Sequence, residues 1–227
     1  MTSSKIFVIV PVFNEATVIE QTLKDLLKLG YNIIVVDDGS TDNIRNILKA
    51  YPVISISHAI NLGQGASLET GMELARRLHA EIIVHFDGDG QHLAEDIKKL
   101  VQPIIDEECD IVFGSRFLQK GTTRMSFIRK AILQTARYFN WAYTGILLSD
   151  AHNGLRALNK KAMCSLIISE NRMAHASEIL YLTKKNKLRY KEIPVTIQYT
   201  AYSRRKGQGV LNSINIIFHL IFKKINS

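Results

Sequence analysis

Cysteine is nearly absent. Cys109 and Cys164 are the two in 227 residues, and they form no CxxC pair. That excludes a disulfide framework, makes neither a metal-ligand candidate, and fits a reducing compartment. No stretch reaches the roughly 18 uninterrupted apolar residues of a membrane-spanning helix. The first apolar run, Ile6 to Val10, stops at Pro11, so no secretory leader is expected. Two nucleotide signatures are missing too: there is no GxxxxGK-Ser/Thr loop, and no GxGxxG follows the first apolar run. Internal repeats, low-complexity tracts and linkers are also lacking.

What is present is ordinary for a globular chain: 46% hydrophobic and 22% charged residues. One domain of about 200 residues plus a short appendage is expected. The net charge is +8, and the excess falls late, at Lys184, Lys185, Lys187, Arg189 and Lys191, then Arg204, Arg205 and Lys206, then Lys223 and Lys224. A basic second half suits an anionic partner, whether nucleic acid, phospholipid or a phosphorylated substrate.

Lys5 to Val12 reads as a strand buried on both faces, because its apolar residues do not alternate with polar ones. Asn14 is placed to cap a following helix in which Ile19, Leu23, Leu26 and Leu27 share a face, with Gly30 just past its end. Further strands are expected at Ile33 to Val36, Val53 to Ser57, Glu81 to Phe86 and Asp110 to Phe113. Helices intervene: one capped by Ser40 or Thr41 and running through Leu48, one from about Ser67 to Leu78, and one from about Ala94 to Ile105. This alternation predicts an α/β fold with a mostly parallel sheet flanked by helices. A long helix follows, from Phe127 to about Tyr143, then a loop from Asp150 to Arg156. A helix over Ala174 to Lys185 and a strand near Arg189 to Tyr199 come next. In the final segment, Leu211 to Ile225, a narrow stripe of Asn212, Asn215, His219 and Lys223 interrupts Ile, Leu and Phe. It suits either an amphipathic helix at a membrane interface or a helix packed on the core or a second subunit.

Open α/β sheets bind ligands at the carboxyl ends of their strands. The unusual polar clusters fall at four such ends: Asn14 and Glu15; Asp37 and Asp38; Asp87, Asp89 and Gln91; and Arg116. Turn chemistry explains any one of them, but not all four at one edge. Asp87 and Asp89, with Gln91, make a hard-oxygen site suited to Mg²⁺ or Mn²⁺ bridged to substrate phosphates. Such an ion neutralises a nucleoside diphosphate leaving group without proton transfer. Asn61-Leu62-Gly63-Gln64-Gly65 precedes a helix and would let backbone approach a ligand.

These motifs resemble the family 2 glycosyltransferases of the GT-A fold. The resemblance rests on Val10 to Glu15, Val36 to Asp42, Asn61-Leu62-Gly63 and Asp87-Gly88-Asp89. Asp89 to His92, Gly114-Ser115-Arg116 and Asp150 to Arg156 are similar to the dolichyl- or polyprenyl-phosphate sugar synthase branch, and the likeness spans about residues 5 to 207. It implies a GT-A domain over 1–209, to which the apolar pattern of the last segment adds an amphipathic helix over 210–227. It implies an inverting, metal-dependent hexosyltransferase that uses a UDP- or GDP-sugar and Mg²⁺ or Mn²⁺. Pro11, Asn14, Glu15, Asp37, Asp38, Gly63 and Asp87 would bind the nucleotide sugar. Asp87, Asp89 and Gln91 would hold the metal, with Asp89 and Arg116 in catalytic roles. Arg116, Arg129, Arg204 and Arg205 would gather an acceptor phosphate, with Arg124 or Arg137 as substitutes for Arg129.

A lipid phosphate is already anionic near neutral pH, so its transfer needs cations rather than a strong base. A saccharide hydroxyl, the alternative acceptor in cell-surface polysaccharide synthesis, needs a base. Glu178, with His175 on the same helix, is the candidate; otherwise it orients a neighbouring loop or faces solvent. A third reading, a non-catalytic nucleotide-sugar or nucleic-acid module, lacks a nucleic-acid motif around Arg204 to Lys206. The expected setting is the cytoplasm, in peripheral contact with the inner membrane face. Neither the sugar nor the oligomeric state follows from the sequence.

Overall fold

The computed structural model describes residues 5–118, 137–138, 140–151 and 153–198. Among the described residues seven strands form one sheet: β1 (Ile6–Val12), β2 (Asn32–Asp37), β3 (Ile54–Ser57), β4 (Ile82–His85), β5 (Ile111–Ser115), β6 (Arg156–Asn159) and β7 (Tyr190–Pro194). Their spatial order is β3-β2-β1-β4-β6-β5-β7. β1 pairs in parallel with β2 and β4, β2 with β3, and β5 with β7. β6 runs antiparallel to both β4 and β5, so β4 and β5 point the same way and end at one edge.

The described helices are α1 (Ile19–Lys28), α2 (Ile44–Leu48), α3 (Gln64–Arg77), α4 (Asp96–Ile105), α5 (Lys160–Ser165) and α6 (His175–Lys185). They cover both faces. Ile6, Val8, Val10 and Val12 of β1 pack with Ile19, Leu23 and Leu26 of α1, Ile44 of α2 and Ile97 of α4. Phe7 and Ile9 turn the other way, toward Leu68 and Met72 of α3, Ala162 of α5 and Ile179 of α6. A strand with both faces covered has no polar alternation, which is why β1 reads as a continuous apolar run. Each such buried Leu is expected to cost about 2–5 kcal/mol on truncation to Ala.

The helix starts differ from expectation. Asn14 does not cap α1: its φ is 56°, and Oδ1 accepts the Thr41 N–H at 2.9 Å. Ser40 Oγ accepts the Asn14 N–H at 2.9 Å rather than capping α2. Asp42 serves both helix starts. Its Oδ2 accepts Ala16 N–H at 2.8 Å and its Oδ1 accepts Ile44 N–H at 3.2 Å. The two loops after β1 and β2 therefore cross-link each other, and the second also bonds the first N–H of its own helix. Gly30 has φ 74°, and its N–H bonds the Leu27 carbonyl, as expected past the end of α1.

β6 and α5 fall where sequence periodicity gave no element. β6 is four residues long, too short to show a period, and it exists only because β4 and β5 flank it. Residues 140–144, within the expected long helix, are helical. The rest of that helix before residue 137, and the segment Leu211 to Ile225, lie outside the described residues.

Candidate functional site

The carboxyl edge of the sheet gathers Glu15, Asp38, Asp87 and Arg116, each just beyond the end of its strand. Their side chains have different duties.

Asp37 is fully buried. It accepts the Ser40 N–H at 2.8 Å and Arg45 Nε at 2.9 Å. Burial alone would raise its carboxyl, but the Ser40 and Arg45 hydrogen bonds outweigh that and hold it below the usual range. Asp38, also buried, binds the loop ahead of α3. Oδ1 takes the Leu62 N–H at 2.9 Å and His58 Nδ1 at 2.8 Å, and Oδ2 takes the Gly63 N–H at 2.7 Å. His58 passes the contact on to Thr70 Oγ1 of α3 through Nε2, at 3.0 Å. Asp38 therefore fixes the position of Leu62 and Gly63, and Asp37 fixes the turn that carries Ser40.

Asp87 and Asp89 follow β4. Asp87 Oδ1 accepts Gln64 Nε2 at 2.7 Å, and Oδ2 lies 3.0 Å from His92 Nε2. Since a carboxylate only accepts, His92 carries its proton on Nε2. Burial would raise the Asp87 carboxyl, but the His92 bond and charge prevail and lower it. Asp89 accepts the Gln91 N–H at 3.0 Å and Gln91 Nε2 at 2.9 Å. Its carboxyl is pushed up to about 6, first by burial and then by the Asp87 charge. Two half-buried carboxylates two residues apart therefore sit close enough for the charge of one to raise the other, which is the donor set a divalent cation fits. Among the described residues no cluster of three or more His, Cys, Asp or Glu would hold a metal unaided. Mg²⁺ and Mn²⁺ sites that use one or two carboxylates are completed by substrate phosphates and water.

Behind this pair lies a buried basic layer that the sequence did not disclose. Arg156 of β6 stands opposite His85 of β4, and both are buried. Burial pushes Arg156 down to about 10 and His85 to about 3, the Arg156 charge adding to the latter, so His85 stays neutral.

Arg116, after β5, is held by Asp150. Nε reaches Oδ2 at 2.6 Å, Nη2 reaches Oδ1 at 2.7 Å, and the Arg116 N–H adds a third contact to Oδ2 at 3.1 Å. Glu192 of β7 in turn accepts the Ser149 N–H at 2.7 Å and the Asp150 N–H at 3.3 Å.

Glu178 lies in the first turn of α6. Its carboxylate accepts the Ser169 N–H at 3.0 Å, the Glu170 N–H at 2.8 Å and the Ser169 hydroxyl. That arrangement folds residues 169–171 onto the start of α3. A Cβ on Gly65 would meet the Glu170 carbonyl oxygen at 1.9 Å, and one on Gly63 the Asn171 carbonyl oxygen at 2.3 Å. Both glycines are required by that close approach.

The structure thus brings Asn14, Glu15, Asp37, Asp38, Gly63, Asp87, Asp89, Gln91 and Arg116 to one edge, with Pro11 paired to Val36 inside the sheet. Arg129, Arg204 and Arg205 lie outside the described residues. Gln64, His92, Asp150 and Arg156 were not singled out for these contacts. The signal for Gln64 was available: it stands between two glycines where a helix begins.

The family model described as Glycosyl transferase family 2 matches residues 7–166. The chain is 34% identical over 248 residues to a UDP-N-acetylglucosamine–dolichyl-phosphate N-acetylglucosaminyltransferase of Methanococcus voltae, covering 99% of this chain and 98% of that protein. It is 28% identical over 230 residues to a dolichol-phosphate mannosyltransferase of Pyrococcus furiosus, covering 96% of this chain and 64% of the other. In fold it is similar to glucosyl-3-phosphoglycerate synthase of Mycobacterium tuberculosis, solved with Mn²⁺, UDP and phosphoglyceric acid. That similarity has a TM-score of 0.68 at 17% identity, over 96% of this chain and 78% of that one.

Proposed function

The chain belongs to glycosyl transferase family 2, and from that premise we propose that it transfers a sugar from a nucleotide sugar to a polyprenyl or dolichyl phosphate. The relatives from Methanococcus voltae and Pyrococcus furiosus, both named for dolichyl-phosphate transfer, support this reading. Among donors, UDP-N-acetylglucosamine is the first to test, because the relative matched along nearly its whole length is named for it.

The donor lies along the carboxyl edge. Pro11 in β1, Asn14 and Glu15 just after it, and the Leu62–Gly63 backbone fixed by Asp38, receive the nucleoside. Asp37 contributes by holding the Ser40 turn. Asp87, Asp89 and Gln91 would hold the Mg²⁺ or Mn²⁺, and that ion would offset the charge of the leaving diphosphate. Gln64 and His92 keep Asp87 in place for that task. A phosphate oxygen of the acceptor attacks the anomeric carbon as the carbon–oxygen bond to the diphosphate breaks, which inverts that centre. Arg116, presented by Asp150, binds the incoming phosphate and lowers its repulsion from the donor, and Arg129, Arg204 and Arg205 complete the acceptor side.

One observation carries the choice of acceptor. Glu178, the acid available as a base, is occupied by the N–H groups of Ser169 and Glu170 and by the Ser169 hydroxyl. It shapes a loop, and a phosphate acceptor needs no base. The test is to incubate the protein with labelled nucleotide sugars and polyprenyl phosphate and to extract the lipid. Label in the organic phase is expected; label only in water-soluble saccharide would sink the reading.

No helix among the described residues is long and apolar enough to cross a membrane. A peripheral contact through the amphipathic segment Leu211 to Ile225, at the cytoplasmic face, completes the proposal.

A further inference from the structure

We infer that Gly154 is a positioning residue for Asp87: the missing side chain on β6's lead-in makes the space in which that carboxylate is held. This rests on the cation-assisted reading above and adds to it a residue that touches neither cation nor donor.

The argument begins with register. β4 and β6 are antiparallel, with Ile83 opposite Leu158, Val84 opposite Ala157 and His85 opposite Arg156. Continuing the same register two steps sets Asp87 beside Gly154. The side chain of Asp87 then leans across the neighbouring strand instead of out of the sheet. A Cβ built on Gly154 would lie 2.1 Å from Asp87 Oδ2 and 2.6 Å from both Cγ and Oδ1. Its three nearest neighbours are therefore all atoms of one carboxylate. Nothing larger than a hydrogen fits between the Gly154 backbone and Asp87.

The backbone at Gly154 is poorly placed to retreat. Asn153 and Leu155 on either side are buried. The Leu155 carbonyl accepts the Gly114 N–H of β5 at 2.9 Å, and the Leu155 N–H donates to Asn153 Oδ1 at 2.9 Å. Asn153 is tied by Nδ2 to Asp150 Oδ2 at 3.4 Å, the carboxylate that grips Arg116. Gly154 thus backs the Asp87 carboxylate, while Asp150, tied to Asn153 beside it, presents Arg116. When a methyl is added at 154, the mobile partner is the Asp87 carboxylate. It can swing about its own side-chain torsions, but only by giving up Gln64 and His92. Gly154→Ala is consequently expected to displace a metal ligand while leaving the sheet intact.

Two measurements test this. The first is Mn²⁺ binding in the presence of UDP, followed by the loss of the free-ion paramagnetic resonance signal. Gly154→Ala is expected to weaken Mn²⁺ at least tenfold with an unchanged circular dichroism spectrum. Wild-type affinity in the variant overturns the inference. The second is a thermal double-mutant cycle with Asp87→Ala, which removes all three atoms a Cβ at 154 would meet. Gly154→Ala should lower the Tm when Asp87 is present and much less when it is Ala. An equal loss in both backgrounds overturns the inference, including the case in which Gly154→Ala alone folds too poorly to bind anything. If the wild type itself binds no Mn²⁺ with any nucleotide, the proposed donor chemistry fails, and the thermal cycle still decides whether Gly154 holds Asp87.

Discussion

Arg116 and Asp150 form a two-pronged ion pair at the carboxyl edge, Nε to Oδ2 at 2.6 Å and Nη2 to Oδ1 at 2.7 Å, with the carboxylate buried. The guanidinium is fixed in plane by a partner that solvent does not reach. Arg116→Lys keeps the charge but loses the fork, so it should behave nearly as badly as Arg116→Ala. A charge-assisted contact contributes roughly 1.5–3 kcal/mol, or about one to two decades in kcat/KM if it strengthens in the transition state. Asp150→Asn should give a loss of the same order, because Arg116 is no longer presented. Steady-state kinetics with polyprenyl phosphate check this, and a Lys variant at wild-type rate would contradict it.

Glu178→Gln should be mild in comparison. The amide oxygen can still accept one backbone N–H, so the 169–171 loop loosens without losing a reacting group. A fall of less than about tenfold in kcat, with a small drop in Tm, is expected. Were the acceptor a saccharide hydroxyl, the order would reverse. Kinetics of Glu178→Gln beside Arg116→Ala, using one donor preparation, separate the cases.

Chelation should silence transfer. With Asp87 and Asp89 holding the cation, EDTA should abolish activity and Mg²⁺ or Mn²⁺ should restore it. Asp89→Ala should not be rescued by either metal. Full turnover in EDTA would remove the cation from the mechanism.

Asp110, just before β5, gives the clearest stability prediction. It accepts the Arg189 N–H at 2.9 Å, Asn159 Nδ2 at 3.1 Å, Lys161 Nζ at 3.1 Å and Arg189 Nη2 at 3.3 Å. It thereby ties β5, β6 and β7 together at the edge opposite the site. Burial would raise its carboxyl, but the Arg189, Asn159 and Lys161 bonds hold it well below the usual range. A depressed folded-state pKa contributes stability above the unfolded value, about 3.9, and loses it as pH falls from there toward the folded value. Asp110→Asn should cost about 1.5–3 kcal/mol at pH 7. Its deficit should shrink below about pH 4, where the unfolded chain's carboxylate takes up a proton while the folded one still holds its charge. Urea melts at pH 7 and pH 3 test this, and a deficit independent of pH would refute it.

Much of the frame was legible along the chain. The unalternating runs at Ile6 to Val10 and Ile33 to Val36 announce strands covered on both faces, since burial of both faces removes the period. The acidic clusters that follow such runs mark the ligand edge. Gly30 announces the end of α1, because the positive φ there favours a residue without Cβ. The short elements were not legible. β6 has four residues, and only the gap between β4 and β5 makes it a strand.

Sequence alone determined the parallel sheet with its flanking helices, the carboxylate pair at Asp87 and Asp89, and the placement of Arg116, because these follow from local periodicity and from residue type at a strand end. Tertiary structure decided which of those polar atoms have their valences spent inside the protein. Asp38 is committed to Leu62, Gly63 and His58, and Glu178 to Ser169 and Glu170. It also decided that Gly154 stands against Asp87. A hydrogen bond or a steric contact depends on angstrom-scale distances between segments remote in sequence. Only the packed sheet sets those distances.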